Sequence, residues 1–178
     1  MKFAHTELDG VWIVDPEPHV DERGSFARTY CAAEFAAYGL HTTWPQANVS
    51  RNTLRGTLRG LHFQADPHPE IKLVRCTAGA IFDVVVDVRR DSPAFGRWLG
   101  VELTAAMGRA LYIPAGFAHG FQTLTDAADV SYMMGAAHAP EFARGVRWND
   151  PSIGVRWPLP PVALSTRDAV LPLLAELA

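Results

Sequence analysis

Phe82-Asp83-Val84-Val85-Val86-Asp87-Val88 reads as a β-strand. β-Branched residues dominate it, and its acids fall at even spacing. Asp83 and Asp87 therefore share one face, while Phe82, Val84, Val86 and Val88 share the other. The strand extends back to Ala80, and Thr77-Ala78-Gly79 marks a tight connection to a second strand, Lys72–Cys76. So short a link predicts that these two are antiparallel neighbours in one sheet. The same texture continues on both sides. Upstream lie Val11–Val14, Ser25–Tyr30, Asn48–Arg51 and Thr57–Gln64, the first two flanking the polar turn Asp21-Glu22-Arg23-Gly24. Downstream lie Trp98–Leu103, Ala110–Ile113, Gly120–Thr125, Asp129–Met134 and Gly145–Trp148. Helix is scarce. Ala32–Tyr38 is one candidate, ended by Gly39 in the C′ position. Asp168–Leu177 is another, with Leu171, Leu174 and Leu177 at helical spacing despite Pro172. Many short strands at such spacing predict an all-β protein, a sandwich, jelly roll or barrel whose centre can hold a small molecule. Edge strands in such a fold need cover, and dimerisation is one way to supply it.

Composition narrows the class. The chain has 178 residues, 48% hydrophobic, 20% charged and 10% aromatic. That fits a single domain over residues 1–178, large enough to bury about 70% of its unfolded surface without disulfides or metal. Mean hydropathy is +0.01, and no apolar run approaches the roughly 18 residues of a spanning helix, so no membrane role is expected. Met1-Lys2-Phe3 is followed by His5, Glu7 and Asp9, which leaves no apolar core for a secretory signal. Cys31 and Cys76 form no CxxC pair, and the expected setting is reducing and cytoplasmic. A net charge of −3 argues against nucleic acid as a partner. Among the 16 basic residues only Lys2 and Lys72 are lysine, so Lys72 stands alone in the body of the chain.

Several residues could carry chemistry. Gly108, Pro114, Gly116 and His119 form G-x₅-P-x-G-x-x-H, similar to the second signature of the cupin superfamily of β-barrels. The cupin metal site also requires an H-x-H pair, which none of the seven histidines supplies, so no metal is expected. Without other support, the Pro and Gly equally describe a strand-turning loop. His62, Lys72, Asp83, His119 and Tyr132 all fall on expected strands. Alternation groups Lys72 with Val74 and Cys76, and His62 with Gly60 and Gln64. Convergence of base, acid, cation and carboxylate in one cavity would suit proton abstraction beside a carbonyl. Strict alternation places Arg59 and His62 on opposite faces, so their joint use requires a twist or bulge near Gly60. Asp83 reads as a supporting charge partner for Lys72.

The motifs are Asp21-Glu22-Arg23-Gly24, Arg55-Gly56-Thr57-Leu58-Arg59-Gly60-Leu61-His62-Phe63-Gln64 and Lys72-Leu73-Val74-Arg75-Cys76. Phe82-Asp83-Val84, Ser92-Pro93, Ile113–Phe121 and Trp148-Asn149-Asp150-Pro151 follow in order. Together they resemble the dTDP-4-dehydrorhamnose 3,5-epimerase family of nucleotide-sugar epimerases, from about Val11 to Asp168. The resemblance implies a cupin-like double-stranded β-helix, or jelly-roll barrel, with a few short helices. It also implies a homodimer, a nucleotide-sugar substrate and no metal or organic cofactor. His62 matches the base that removes a proton beside the 4-keto group, and Asp168 the carboxylate that orients it. Tyr132 matches the acid that returns a proton to the other face, and Lys72 the cation near the keto oxygen. Arg23 and Arg59 match phosphate contacts, which suits the planar donor fork of arginine. Gln46, Asn48, His119 and Arg167 match further substrate-binding positions.

Three positions depart from the family pattern. Arg28 and Ala143 stand where many members have Glu, and Met133 where many have Lys. These departures bear on which base and sugar are recognised, and inversion at C3, at C5 or at both stays open. The competing expectations are a non-catalytic nucleotide-sugar binding module, a 3,4-ketoisomerase and a metal-dependent cupin enzyme.

Overall fold

Alternating apolar positions and turn residues sort the chain into two packed sheets. The computed structural model describes residues 1–177. The strands are β1 (Lys2–His5), β2 (Trp12–Asp15), β3 (His19–Asp21), β4 (Gly24–Phe26), β5 (Gln46–Asn52), β6 (Leu58–Gln64) and β7 (Lys72–Ala78). They continue as β8 (Ala80–Asp87), β9 (Trp98–Thr104), β10 (Ala110–Ile113), β11 (Phe117–Thr123), β12 (Ala128–Met134) and β13 (Ala143–Gly145). The helices are α1 (Ala32–Ala37) and α2 (Thr166–Ala169). One sheet has the order β1-β2-β10-β7-β12-β5, the other β13-β6-β11-β8-β9, and β3 pairs with β4 alone. This is the expected all-β jelly-roll barrel with short helices.

The inner faces meet in a core of Val74, Cys76, Ile81, Val85, Leu103, Leu111, Phe121 and Val130. Each outer face has its own cover. Phe35 of α1 packs with Phe3 over Val14, Leu73 and Tyr112 of the six-stranded sheet. On the five-stranded sheet, Leu61, Val84 and Val86 lie under Val146, Ile153, Trp157 and Leu174 from the chain's last third. The alternation read in β8 is therefore correct: Val84 and Val86 point outward to that cover, while Asp83 and Asp87 are fully buried.

Three sequence expectations need correction. First, β7 and β8 are not neighbours: β7 pairs with β10 and β12, and β8 with β9 and β11. The turn at Gly79 carries the chain from one sheet to the other. Gly79 has φ +68°, and a Cβ there would meet Thr125 Oγ1 at 2.3 Å. Second, Asp21–Gly24 does not join long strands but closes the small hairpin β3–β4, whose residues are all exposed. Pro16 and Pro18 break the ladder after β2, because proline offers no N–H. Third, Asp168–Leu177 is not one helix. It divides into α2 and a 3₁₀ turn at Leu174–Glu176, with Pro172 between them.

Candidate active site

A cavity of about 670 Å³ lies between the sheets, where β12 and β5 face β6 and β13. Strand register lays out its walls. On the six-stranded sheet, Lys72, Met134 and Gln46 form one row across β7, β12 and β5, and Val74, Tyr132 and Asn48 the next. On the five-stranded sheet, His119 of β11 lies directly opposite His62 of β6. His62 and Tyr132 thus come from opposing sheets and line the same cavity.

Of the twist or bulge expected near Gly60, the structure has the bulge. His119 pairs with His62 and Phe121 with Arg59, so Gly60 and Leu61 oppose Gly120 alone. The extra residue turns Arg59 and His62 to the same cavity. Gly60 has φ +124°, and a Cβ on it would lie 2.5 Å from Gly120 Cα, so glycine is required.

His62 Nε2 lies 2.7 Å from Asp168 Oδ1. An ionised carboxylate only accepts, so Nε2 donates and Nδ1 keeps its lone pair for proton abstraction. Asp168 is delivered by α2, where the Ser165 hydroxyl caps the helix by accepting from Asp168 N–H at 3.0 Å. The Gly60 N–H donates to Asp168 Oδ2 at 3.1 Å. Burial alone would raise this carboxyl's pKa, but the His62 hydrogen bond and charge, with the Gly60 and Ser165 contacts, hold it below the ordinary value. The carboxylate is therefore ionised beside the imidazole.

Lys72 is buried, and its ammonium donates to the His62 carbonyl at 3.2 Å. Its charge partner is not Asp83. Glu70 Oε1 stands 2.7 Å from Lys72 Nζ, and Asp83 Oδ1 lies 2.8 Å from His119 Nε2. Asp83 pairs across the ladder with Phe121, which places it diagonally from His119 on the same face. Asp83 Oδ2 has no hydrogen-bond partner. The His119 ring meets Tyr132 edge-on, with centroids 5.8 Å apart. Burial, with a smaller contribution from the Asp83 charge, pushes the Tyr132 phenol well above its usual pKa, against an opposing effect of Arg59. The phenol is thus protonated at neutral pH, the form an acid needs.

Arg59 donates from Nε to Asn52 Oδ1 at 2.8 Å, and buried Asn52 is itself fixed by donating to the Ala128 carbonyl at 3.0 Å. Gln46, Asn48, Arg59, His119 and Arg167 all line the cavity. Arg23 does not. It sits on the exposed β3–β4 hairpin, paired with Asp21. Of the departing positions only Ala143 lines the cavity. Met133 alternates away from Tyr132 and packs against the outer cluster of Leu73 and Phe35, and exposed Arg28 pairs with Glu34 at 2.8 Å. Among the described residues no group of three or more His, Cys, Asp or Glu side chains is placed to hold a metal ion.

Two contributors were missed in the sequence. Glu70 lies two residues before Lys72, a spacing that puts both on one side of an extended chain, and that signal was available. Asn52 gave none, because it meets Arg59 across two different sheets.

The profile of the dTDP-4-dehydrorhamnose 3,5-epimerase family matches residues 5–176. The dTDP-4-dehydrorhamnose 3,5-epimerase of Methanothermobacter thermautotrophicus is 46% identical over 158 residues, 89% of this chain and 84% of that protein. The dTDP-4-dehydrorhamnose 3-epimerase of Streptomyces niveus is 39% identical over 177 residues, 99% of this chain and 85% of that protein. The crystal structure of dTDP-6-deoxy-D-glucose-3,5-epimerase from Legionella pneumophila, in complex with dTDP-4-keto-L-rhamnose, superposes with a TM-score of 0.94 at 38% identity. That match covers 99% of this chain and 94% of the other. With its jelly-roll fold matched from end to end and its sequence this close to isomerases, the chain belongs to the dTDP-4-dehydrorhamnose 3,5-epimerase family.

Proposed function

We propose that the protein epimerises a nucleoside-diphosphate 4-keto-6-deoxy sugar of the dTDP-4-dehydro-6-deoxyglucose type, with residues 1–178 acting as one epimerase domain. The observation that carries this reading is the placement of the His62–Asp168 pair and Tyr132 on opposing walls of one cavity. His62 Nδ1 takes the proton on the carbon beside C4. The C–H bond's electrons form the enolate, whose negative charge on the C4 oxygen meets the Lys72 ammonium. Tyr132 then gives its proton to the opposite face of that carbon, and the new C–H bond has inverted configuration. Imidazolium and phenolate reset by exchange with solvent. Arg59 and Arg167 at the cavity suit the diphosphate, with Gln46 and Asn48 along the nucleotide. The scheme uses only the chain's own side chains, without metal or organic cofactor.

The reading extends to a homodimer in the cytoplasm. The β3–β4 hairpin projects Val20 and Phe26, 76% and 78% exposed, and its Arg23 is remote from the chain's own cavity. A second copy that covers the hairpin would receive Arg23 at its phosphate site. Cys31 and Cys76 are free thiols, in keeping with a reducing compartment.

The test is incubation with 4-keto sugar nucleotides in D₂O, with deuterium located by NMR. The expected result is deuterium at C3, C5 or both, with inversion, unaffected by a chelator. His62→Asn should lose it, since removing a general base typically costs about 10²–10⁴ in rate. No incorporation by the wild type would indicate a binding module. A carbonyl moved to C3 would indicate a ketoisomerase.

A further inference from the structure

Three carboxylates around the cavity each hold one basic side chain: Asp168 takes His62, Asp83 takes His119 and Glu70 takes Lys72. The first two back imidazoles. The third has no part in the reaction as drawn. Glu70 lies in the connection between β6 and β7, yet its side chain is only 9% exposed, beside a Lys72 side chain at 7%. Burying a connection's carboxylate against a buried ammonium is unfavourable unless the geometry is good and the remaining donors are used.

Those donors can be counted. An ammonium has three N–H bonds. The His62 carbonyl accepts one at 3.2 Å, and Glu70 Oε1 stands 2.7 Å from the nitrogen as its ion-pair partner. Lys72 lines the cavity, and these two contacts hold its nitrogen there. We propose that Glu70 is a positioning residue that holds the Lys72 ammonium at the cavity, in place to donate to the sugar's C4 oxygen. The inference rests on the epimerase reading above. Lysine has a flexible four-carbon stem that samples many directions unless it is held. A donor fixed before charge develops needs no reorganisation when the enolate forms. A carboxylate near an enolate also repels it. Positioning and repulsion therefore act on the rate in opposite senses, and substitution separates them.

The experiment compares wild type, Glu70→Ala, Glu70→Gln, Lys72→Ala and the Glu70→Ala/Lys72→Ala double variant. Each is assayed for turnover of a 4-keto sugar nucleotide and for dTDP binding. Glu70→Ala should lower kcat by about 10- to 100-fold through misplacement of the ammonium. Its KM and dTDP affinity should stay near wild type. Glu70→Gln keeps an oxygen acceptor at the same reach and should restore most of kcat. In the Lys72→Ala background the Glu70 substitution should cost nothing more, because its effect runs through Lys72. If the Ala protein does not fold, Glu70→Met keeps the chain length while removing the acceptor. Glu70→Ala at or above wild-type rate would overturn the proposal. So would Glu70→Gln as slow as Glu70→Ala, or a further loss in the Lys72→Ala background. A wild type that binds dTDP but exchanges no substrate hydrogen defeats the epimerase reading, and this inference with it.

Discussion

Tyr132 holds its proton under three influences: burial and the Asp83 charge raise the phenol well above its ordinary value of 10.0, and Arg59 opposes them. In the proposed reaction this keeps the acid loaded, and ionisation of Tyr132 should not reduce kcat anywhere below about pH 10. Asp83→Asn removes one of the raising causes, so the alkaline limb of the pH–rate profile should move to lower pH than in wild type. A limb that stays in place would mean that Asp83 does not act on Tyr132. At this scale the sequence was largely legible. His62, Lys72 and His119 sit in motifs, and with Tyr132 and Asp168 they line one cavity. Partners were harder to read. Alternation identifies the face that Asp83 shares but not its diagonal neighbour, which is His119 and not Lys72. Arg59 finds Asn52 only through the packing of two sheets.

Among the elements, β6 matters most, because its bulge brings Arg59 and His62 to one cavity. Gly60→Ala would need φ +124°, which alanine rarely adopts, and would drive a Cβ to 2.5 Å from backbone. It should destabilise the fold by about 2–5 kcal/mol. Thermal unfolding measures that loss, and activity should fall with it as the two side chains separate. An unchanged Tm would show that the strand can shed its bulge. The bulge was foreseeable, because a catalytic His62 and a phosphate-binding Arg59 conflict with strict alternation. The sheet change at Gly79 was not. A tight turn between two strands looks the same in sequence whether it closes a hairpin or joins two layers. The division of the last helix is legible in Pro172, although Leu171, Leu174 and Leu177 keep helical spacing across it.

For the whole molecule, the sandwich matters because it puts His62 and Tyr132, the proposed base and acid, on separate sheets, and the hairpin because it leaves Arg23 outside its own chain's cavity. If two copies complete each other's sites, sedimentation should give twice the 19.5 kDa chain mass. Mixed dimers of Arg23→Ala and His62→Asn should then exceed the activity of either parent. In them one cavity regains both an intact His62 and the partner's Arg23. Mixed dimers no better than the parents would place Arg23 outside the reaction. The arrangement of His62 and Tyr132 on opposing walls has one direct test. Tyr132→Phe keeps the ring and removes only the hydroxyl, so packing is nearly unchanged. The measurement is the ratio of deuterium wash-in to inverted product, for wild type and Tyr132→Phe, on one 4-keto sugar nucleotide in D₂O. If His62 works one face and Tyr132 the other, wash-in persists in the variant, inversion falls steeply and the ratio rises. An unchanged ratio would contradict the account, because one group would then be serving both faces.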